Sequence, residues 1–495
     1  MYDHFLAYLA ATGPILLVAF ASVAVVLIDS FRNDSPAIPW ISAAAMVGAG
    51  VWIATWLDTP TSAAFNGQVL VGGVAAFASL VVLVGAVLSL VLSVPYLSRI
   101  GHNYGEVHGL ILIATAGMMT LASTGSLVTL FVGLETMSIC LYVLTGLVRA
   151  DKTANESALK YFLLGSFSTG FFLYGLALMY GATGTMVFSE MAAGLSALDR
   201  APLFGMGVGL LLIGFLFKVS AVPFHQWTPD VYQGAPTSLT AFMSTASKTA
   251  AFAALAVVLS RAVPEGLIGG PVQMALAVVA AITMVFGNVA ALTQTNVKRM
   301  LAYSSVAHAG YILAGLAVGT SAGIAAALFY LLAYTVMNVG AFGVMGALEW
   351  DDREGADQTL ASLSGVGYRR PALGVAMGVF MFALTGFPPF GGFIGKYLVF
   401  SAVVDAGMTW LAVIGVLASV VSAVYYLRVL VVMWMKPADE GTEGAREAAF
   451  LPSTATLSVV AVCALALLLL GIVPGHVISL ARSAVDGVTA VAVLP

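Results

Sequence analysis

Residues 205–225 read GMGVGLLLIGFLFKVSAVPFH. The run stays apolar for thirteen residues past Gly205, reaches Lys218, and five residues later meets Pro223. At 1.5 Å per residue Lys218 lies ~20 Å along a helix, deep in a bilayer whose hydrocarbon core is ~30 Å thick. Proline removes a helical donor and clashes with the preceding turn, so the helix should break at Val222-Pro223. A second run, residues 373–392, reads LGVAMGVFMFALTGFPPFGG and breaks the same way from Gly386 to Gly392. Pro223 and Pro389 lie 166 residues apart. Interrupted helices at corresponding places of two halves point to a transporter site near the membrane midplane.

The rest of the chain is made of the same material. Its 495 residues are 60% hydrophobic and 8% charged, too few charges to cover a soluble surface of this size. Fourteen apolar segments fall at about 8–29, 38–57, 72–95, 107–122, 125–148, 156–181, 203–223, 236–260, 271–293, 299–317, 322–348, 373–395, 408–434 and 454–474. Most approach the ~20 residues that span a bilayer. The run Pro14–Ile28 has no basic region before it and reads as a first helix rather than a signal peptide. The polar connections Trp350–Arg370 and Met435–Leu451 are too short to bury a core.

The expectation is an all-α polytopic membrane protein of about 14 transmembrane helices, with helices 7 and 12 discontinuous. Helices 4–8 (residues 107–260) and 9–13 (271–434) form matching units around the breaks. Helices 1–3 (1–106) precede them, and helix 14 with its tail (454–495) follows. A unit of five helices is odd, so the second must insert upside down relative to the first, as an inverted repeat.

Basic residues set the orientation. Loops after odd-numbered helices carry Arg32, Arg99, Arg149, Lys152, Lys298, Arg299, Arg353, Arg369, Arg370, Lys436 and Arg446. Loops after even-numbered helices and the C-terminal tail carry Arg200, Arg261 and Arg482. Eleven against three puts the odd loops in the cytoplasm and both termini outside.

Against this hydrocarbon stand Glu135, Lys160, Lys218, Lys248 and Lys396. A charge at the bilayer centre costs ~2.5–3.5 kcal/mol on insertion scales, so such residues are rare and mark function. Glu135 falls mid-helix and needs a partner to carry charge. Lys218 is expected to pair with Glu135 and with carbonyls freed by the first break. Lys248 lies midway along Thr237–Leu259 among Ser244, Thr245, Ser247 and Thr249, hydroxyls expected to hold water beside it. Both lysines are too far from a helix end for simple snorkelling. Lys396 follows the second break and is expected to face the cavity. Lys160 follows Glu156 by four residues, an ordinary helical ion pair. His225 adjoins the first break and His308 lies inside helix 10. Neutral imidazole relays protons near physiological pH, although a lone helical histidine serves packing equally well. Lys298 and Arg299 begin helix 10, either as proton entry or as positive-inside anchors. Five intramembrane charges on separate helices read as a path for charge through the membrane.

Other chemistries lack their residues. There is no phosphate loop, dinucleotide fingerprint, CxxC pair or metal-ligand cluster in the sequence. Cys140 and Cys463 both fall in apolar helices, too few to hold an iron–sulfur cluster. The GxG run at Gly205–Gly209 sits inside an apolar helix and reads as close helix packing. A net charge of −4 offers no nucleic-acid surface. No cofactor, metal, catalytic residue or redox centre is expected in the chain itself.

Residues 218–237, KVSAVPFHQWTPDVYQGAPT, closely resemble the NuoN-type (subunit N) antiporter-like membrane subunit of bacterial proton-pumping NADH:quinone oxidoreductase, respiratory complex I. So do residues 298–311, KRMLAYSSVAHAGY, and the break from Gly386 to Phe393. The resemblance covers nearly the whole chain. The KRMLAYSS run and the broken helices are shared with the wider antiporter-like superfamily, including Mrp-type cation/proton antiporters. The YQGAPT stretch is more diagnostic: relatives usually carry a histidine before Ala-Pro-Thr, where this chain, like the NuoN type, has Gly234.

The resemblance implies a proton-translocating subunit of the bacterial plasma (inner) membrane, with both termini periplasmic. Quinone reduction in other subunits would drive H⁺ export through it. It implies that Glu135 and Lys218 are the buried carboxylate–lysine pair and Lys248 the central lysine between two half-channels. Lys396 would be the terminal lysine near the external exit and Lys160 an accessory. Implied partners are other membrane-arm subunits, among them a neighbouring antiporter-like subunit and small membrane subunits, and the lipid bilayer. The alternative is an Mrp-type or hydrogenase-linked cation/proton antiporter subunit, in which the same lysines would serve. A second rival is a membrane scaffold that conducts nothing.

Overall fold

A computed structural model of the chain describes residues 2–32, 35–198, 200–264, 270–349, 358–436, 452–486 and 492–493. Arg353 and Arg446, counted above for orientation, lie outside the described residues. The first helices are α1 (Tyr2–Phe31), α2 (Ala37–Ala54), α3 (Gly73–Arg99), α4 (Gly105–Ala122), α5 (Leu127–Thr145) and α6 (Lys152–Thr183). A short α7 (Phe188–Leu198) leads to α8 (Ala201–Lys218), α9 (Trp227–Gly234) and α10 (Thr237–Arg261). Then come α11 (Gly270–Leu292), α12 (Val297–Ala317), α13 (Ser321–Leu348), the single turn α14 (Val366–Arg369), α15 (Pro371–Thr385), α16 (Gly391–Asp405) and α17 (Thr409–Met435). The last helices are α18 (Thr454–Ile472) and α19 (Gly475–Asp486).

All fourteen apolar segments are helical. Among the described residues thirteen helices are long and apolar enough to cross a membrane, and α15 with α16 makes the fourteenth span from two 15-residue pieces. The seventh span is α8 and α9, broken where Pro223 predicts; the twelfth is α15 and α16, broken at Gly386–Phe390. Both breaks carry a left-handed residue, Ser220 (φ 65°) and Gly386 (φ 92°).

The two units repeat their packing. α6 lies along both α8 and α9, and α13 lies along both α15 and α16. In each unit the first two helices meet backbone to backbone at glycines. A Cβ on Gly117 or Gly133 would collide with the α4–α5 partner, and one on Gly287 or Gly310 with the α11–α12 partner. Small residues permit such close approach where apolar surface alone gives no drive between helices in lipid. Helices α10, α12 and α13 are almost wholly buried and form the centre of the protein.

Four elements had no strong signature in the sequence. β1 (Ser62–Ala64) pairs antiparallel with β2 (Val69–Val71), Ser62 opposite Val71, through a turn with Phe65, Asn66 and Gly67 all at positive φ. β3 (Ala492–Val493) joins β1 in parallel, giving the order β2-β1-β3. The amphipathic α19 packs against α3 and α13. Among the described residues the fold is all-α apart from this eight-residue sheet.

Candidate functional site

The site is a set of buried cations with almost no buried anions. Lys218, Lys248, Lys298 and Lys396 are at most 5% exposed. Among the described residues the only ion pairs join Lys160 to Glu156, Lys160 to Asp230 and Arg299 to Asp230. The four buried lysines are therefore held by neutral oxygens.

The first break positions Lys218 at the end of α8. The carbonyl of Phe217 accepts from Ser220 N–H at 3.1 Å in the turn that ends α8 and from the Trp227 indole at 2.9 Å. Lys218 Nζ turns instead to α5 and α6, donating to Ser138 Oγ at 2.8 Å and toward Tyr161 OH at 3.5 Å. Glu135 accepts from Thr169 Oγ1 at 2.7 Å. Its carboxylate lies within electrostatic reach of Lys218 but not in ion-pair contact with it. The expected direct pair and the expected bonds to freed carbonyls are thus both replaced by hydroxyl contacts. Between them lies a cavity of about 10 Å³, lined by Ser138, Thr169 and Lys218, close to the room one water needs.

Lys248 Nζ donates to Ser305 O at 2.9 Å and Ser305 Oγ at 2.5 Å, both on α12. The four hydroxyls around it in sequence all bond carbonyls of their own helix, so its partner comes from across the protein. Ser305 Oγ also accepts from Tyr334 OH at 2.8 Å and lies 3.4 Å from Tyr232 OH. One turn further along α12, His308 contacts Tyr330 OH through Nδ1 (2.8 Å) and Tyr426 OH through Nε2 (3.1 Å). Tyr426 OH bonds Ser304 as well. His308 lies within electrostatic reach of both Lys248 and Lys396.

Lys396 Nζ donates to the carbonyls of Leu384 (3.1 Å) and Thr385 (2.8 Å) and to Ser419 Oγ (2.7 Å). Its charge sits 4.7 Å from the centre of the Tyr311 ring. Tyr311 OH accepts from Asn288, whose Oδ1 accepts from Tyr425 OH at 2.9 Å.

The remaining expected residues scatter. Lys160 has two acidic partners, Glu156 and Asp230, each at 2.7 Å, and its side chain is 42% exposed. Lys298 is no exposed anchor: its Nζ donates to Ala235 O, just past α9, at 2.7 Å. His225 stands apart from the network, its ring 4.7 Å from Phe286 and 6.4 Å from Tyr303. Gly234 has a steric reason: a Cβ there would collide with the Ser157 hydroxyl of α6.

Sequence reading missed Ser305, Tyr330, Tyr334 and Tyr426, because hydroxyls in apolar helices carry no signal without a known neighbour. It also missed Asp230 and Arg428. Arg428 donates to Leu292 O (3.1 Å) and Gln294 O (2.7 Å) at the end of α11. An arginine inside the seventeenth helix was as visible as the lysines.

Broken helices paired across two matching units, with ammonium groups at the breaks and between them, define an antiporter-like membrane subunit. The chain matches the family described as NADH:quinone oxidoreductase/Mrp antiporter, TM, over residues 124–422. It is 58% identical over 474 residues to NADH-quinone oxidoreductase subunit N of Salinibacter ruber, covering 95% of this chain and 94% of that one. A chain of respiratory complex I from Thermus thermophilus, solved with bound aureothin, is 36% identical with a TM-score of 0.79, over 95% of this chain and 99% of that one. A chain of the Mrp complex from Dietzia sp. DQ12-45-1b shares the fold at 20% identity and a TM-score of 0.82, over 97% of this chain and 98% of that one. The chain belongs to the NADH:quinone oxidoreductase/Mrp antiporter family, in its NADH-quinone oxidoreductase subunit N branch.

Proposed function

We propose that this subunit carries protons across the membrane while quinone reduction proceeds in other subunits of the complex. The observation that supports the reading best is the Lys248–Ser305–Tyr334 contact at the centre of the most buried helices. Its ammonium has no carboxylate within ion-pair distance among the described residues, so nothing fixes its charge. Lys218, Lys248 and Lys396 hold protons in turn, with water and hydroxyls filling the gaps between them. His308, with tyrosine hydroxyls on both ring nitrogens, links Lys248 to Lys396. Glu135 sets the charge of Lys218: withdrawal of the carboxylate disfavours the ammonium and sends its proton onward. Lys298 and the Lys160–Asp230 pair serve the entry side; His225 lies beside the first break and contributes least.

Each proton exported works against ~2.3 kcal/mol per 100 mV, which quinone reduction elsewhere supplies. Redox centres belong to other subunits. The two units run from residues 107 to 260 and 271 to 434, flanked by 1–106 and 454–495. Both termini face the periplasm of the inner membrane. Clustering of Arg99, Lys298 and Arg299 near the helix ends that meet Glu349 and Asp230 supports that orientation.

The test is Lys248→Met in the assembled complex. Methionine matches the length of lysine and packs easily but binds no proton. Proton uptake into vesicles per NADH oxidised should fall, with assembly intact on a native gel. Wild-type pumping by assembled Lys248→Met and Lys218→Met complexes would defeat the proposal. Sodium uptake in place of proton uptake would favour the antiporter alternative.

A further inference from the structure

Outside the lysine network, a cavity lies among helices 1–4 and the start of α18. It has a volume of about 490 Å³, within the ~300–1,000 Å³ of ligand pockets. It opens where five helix ends meet: the end of α1, the start of α2, the end of α3, and the starts of α4 and α18. One end is polar and the other apolar. Asp29 and His108 line the polar end; Trp40, Leu90 and Val94 line the apolar wall. Leu90 stands nine residues before the end of α3, so the wall reaches ~14 Å into the membrane. Trp40 is 79% exposed at the level where aromatic rings anchor to headgroups.

Asp29 carries the charge of the polar end, which Ser35, Asn103 and His108 complete. His108 is 2% exposed, and its Nε2 donates to Asn103 Oδ1 at 3.0 Å. That leaves Nδ1 as an acceptor, and it has no partner among the described residues. Asp29 uses one oxygen to cap α4 at Gly105 N–H (2.9 Å), and its charge lies within electrostatic reach of His108. A carboxylate at the mouth of an apolar cavity is matched by a cationic donor. Arg32 is exposed three residues beyond Asp29, just past the end of α1.

We propose that this cavity binds one phospholipid with a primary-amine headgroup. The ammonium donates to Asp29, the phosphate lies outward toward Arg32, and one acyl chain lies along α3 between Leu90, Val94 and Trp40. The acyl chain exchanges one hydrocarbon surface for another and adds little drive of its own, so the headgroup contacts set the selectivity. The site is independent of the proton path.

The test uses the intact complex, purified and exchanged into nanodiscs of phosphatidylglycerol, followed by phospholipid quantification and cryo-electron microscopy. Wild type should retain one phosphatidylethanolamine more than an Ala43→Trp complex, in which the indole fills the apolar end. Asp29→Asn keeps an oxygen for Gly105 N–H but removes the charge. It should lose the preference for phosphatidylethanolamine over phosphatidylglycerol about tenfold, as ~1.4 kcal/mol of discrimination would give. Density for a lipid headgroup at Asp29 supports the proposal. Polypeptide density in the cavity, or equal retention by wild type and Ala43→Trp, overturns it.

Discussion

Lys396 donates to the carbonyl of Thr385 at 2.8 Å, across the break that ends α15. A helix C-terminus carries roughly half a negative charge on its unpaired carbonyls, so the break itself is the counterion. The same device recurs: Lys298 binds Ala235 O past the end of α9, and Arg428 binds Leu292 O at the end of α11. The first break differs, because Trp227 takes the Phe217 carbonyl and leaves Lys218 to hydroxyls. The two units therefore share a backbone plan but solvate their lysines differently.

That arrangement makes Gly386 a working part of the second half. Its φ is 92°, and a Cβ there would lie 2.9 Å from Lys396 Cδ. Gly386→Ala should cost about 1–2 kcal/mol of backbone strain and push the ammonium off the α15 carbonyls. The expected result is an assembled complex with lowered proton pumping, measured by vesicle acidification. Wild-type pumping would show that the lysine tolerates displacement.

Asp230 ties α9 to α6 through Lys160 and to α12 through Arg299. The groups are 27–42% exposed, so each pair contributes only ~0.2–1 kcal/mol to stability after screening. Asp230→Asn should leave assembly intact. In a double-mutant cycle on pumping rate, Lys160→Met should add little to Asp230→Asn, since both remove the same contact. Full additivity would mean that Lys160 acts through Glu156 instead.

Helices, breaks and the charged residues were legible because each has a local cause: hydrocarbon runs, Pro223 and Pro388-Pro389, and the cost of burying charge. Partners were not legible. Lys248 sits among four hydroxyls in sequence, yet bonds Ser305, 57 residues away. Those four hydroxyls turn to their own helix, as serine and threonine do when no better acceptor faces them. Glu135 and Lys218 are on different helices, and no sequence pattern fixes whether they touch or stand one hydroxyl apart. The β1–β2 hairpin escaped because three-residue strands carry too little alternation to register.

Arg428 is predicted to be structural. It holds two carbonyls near the end of α11, neither of which belongs to the lysine network. Removing it takes the charged donor from two part-buried carbonyls, at about 1 kcal/mol each. Arg428→Met should lower the yield of assembled complex and its melting temperature, while the complex that does assemble pumps at the wild-type ratio of protons to NADH. A changed ratio at normal yield would place Arg428 in the pathway.

The sharpest prediction concerns Ser305. Its carbonyl and hydroxyl both hold Lys248, and the hydroxyl alone connects to Tyr334. Ser305→Ala keeps the carbonyl contact, so the ammonium stays in place and the helices should pack unchanged. What disappears is one charge-assisted bond, ~1.5–3 kcal/mol, and the link onward to Tyr334. If that bond matters to the rate-limiting transfer, pumping falls by about tenfold or more. Tyr334→Phe removes the second half of the same link while leaving Lys248 both of its Ser305 contacts, so its effect should be smaller. The double variant should pump no worse than Ser305→Ala, because the tyrosine has nothing left to donate to. Proton uptake and NADH oxidation measured together on all three, after native-gel confirmation of assembly, decide the matter. A double variant much slower than Ser305→Ala would mean that Tyr334 acts through Asn338, whose amide donates to its hydroxyl at 2.8 Å, on a branch that bypasses Lys248.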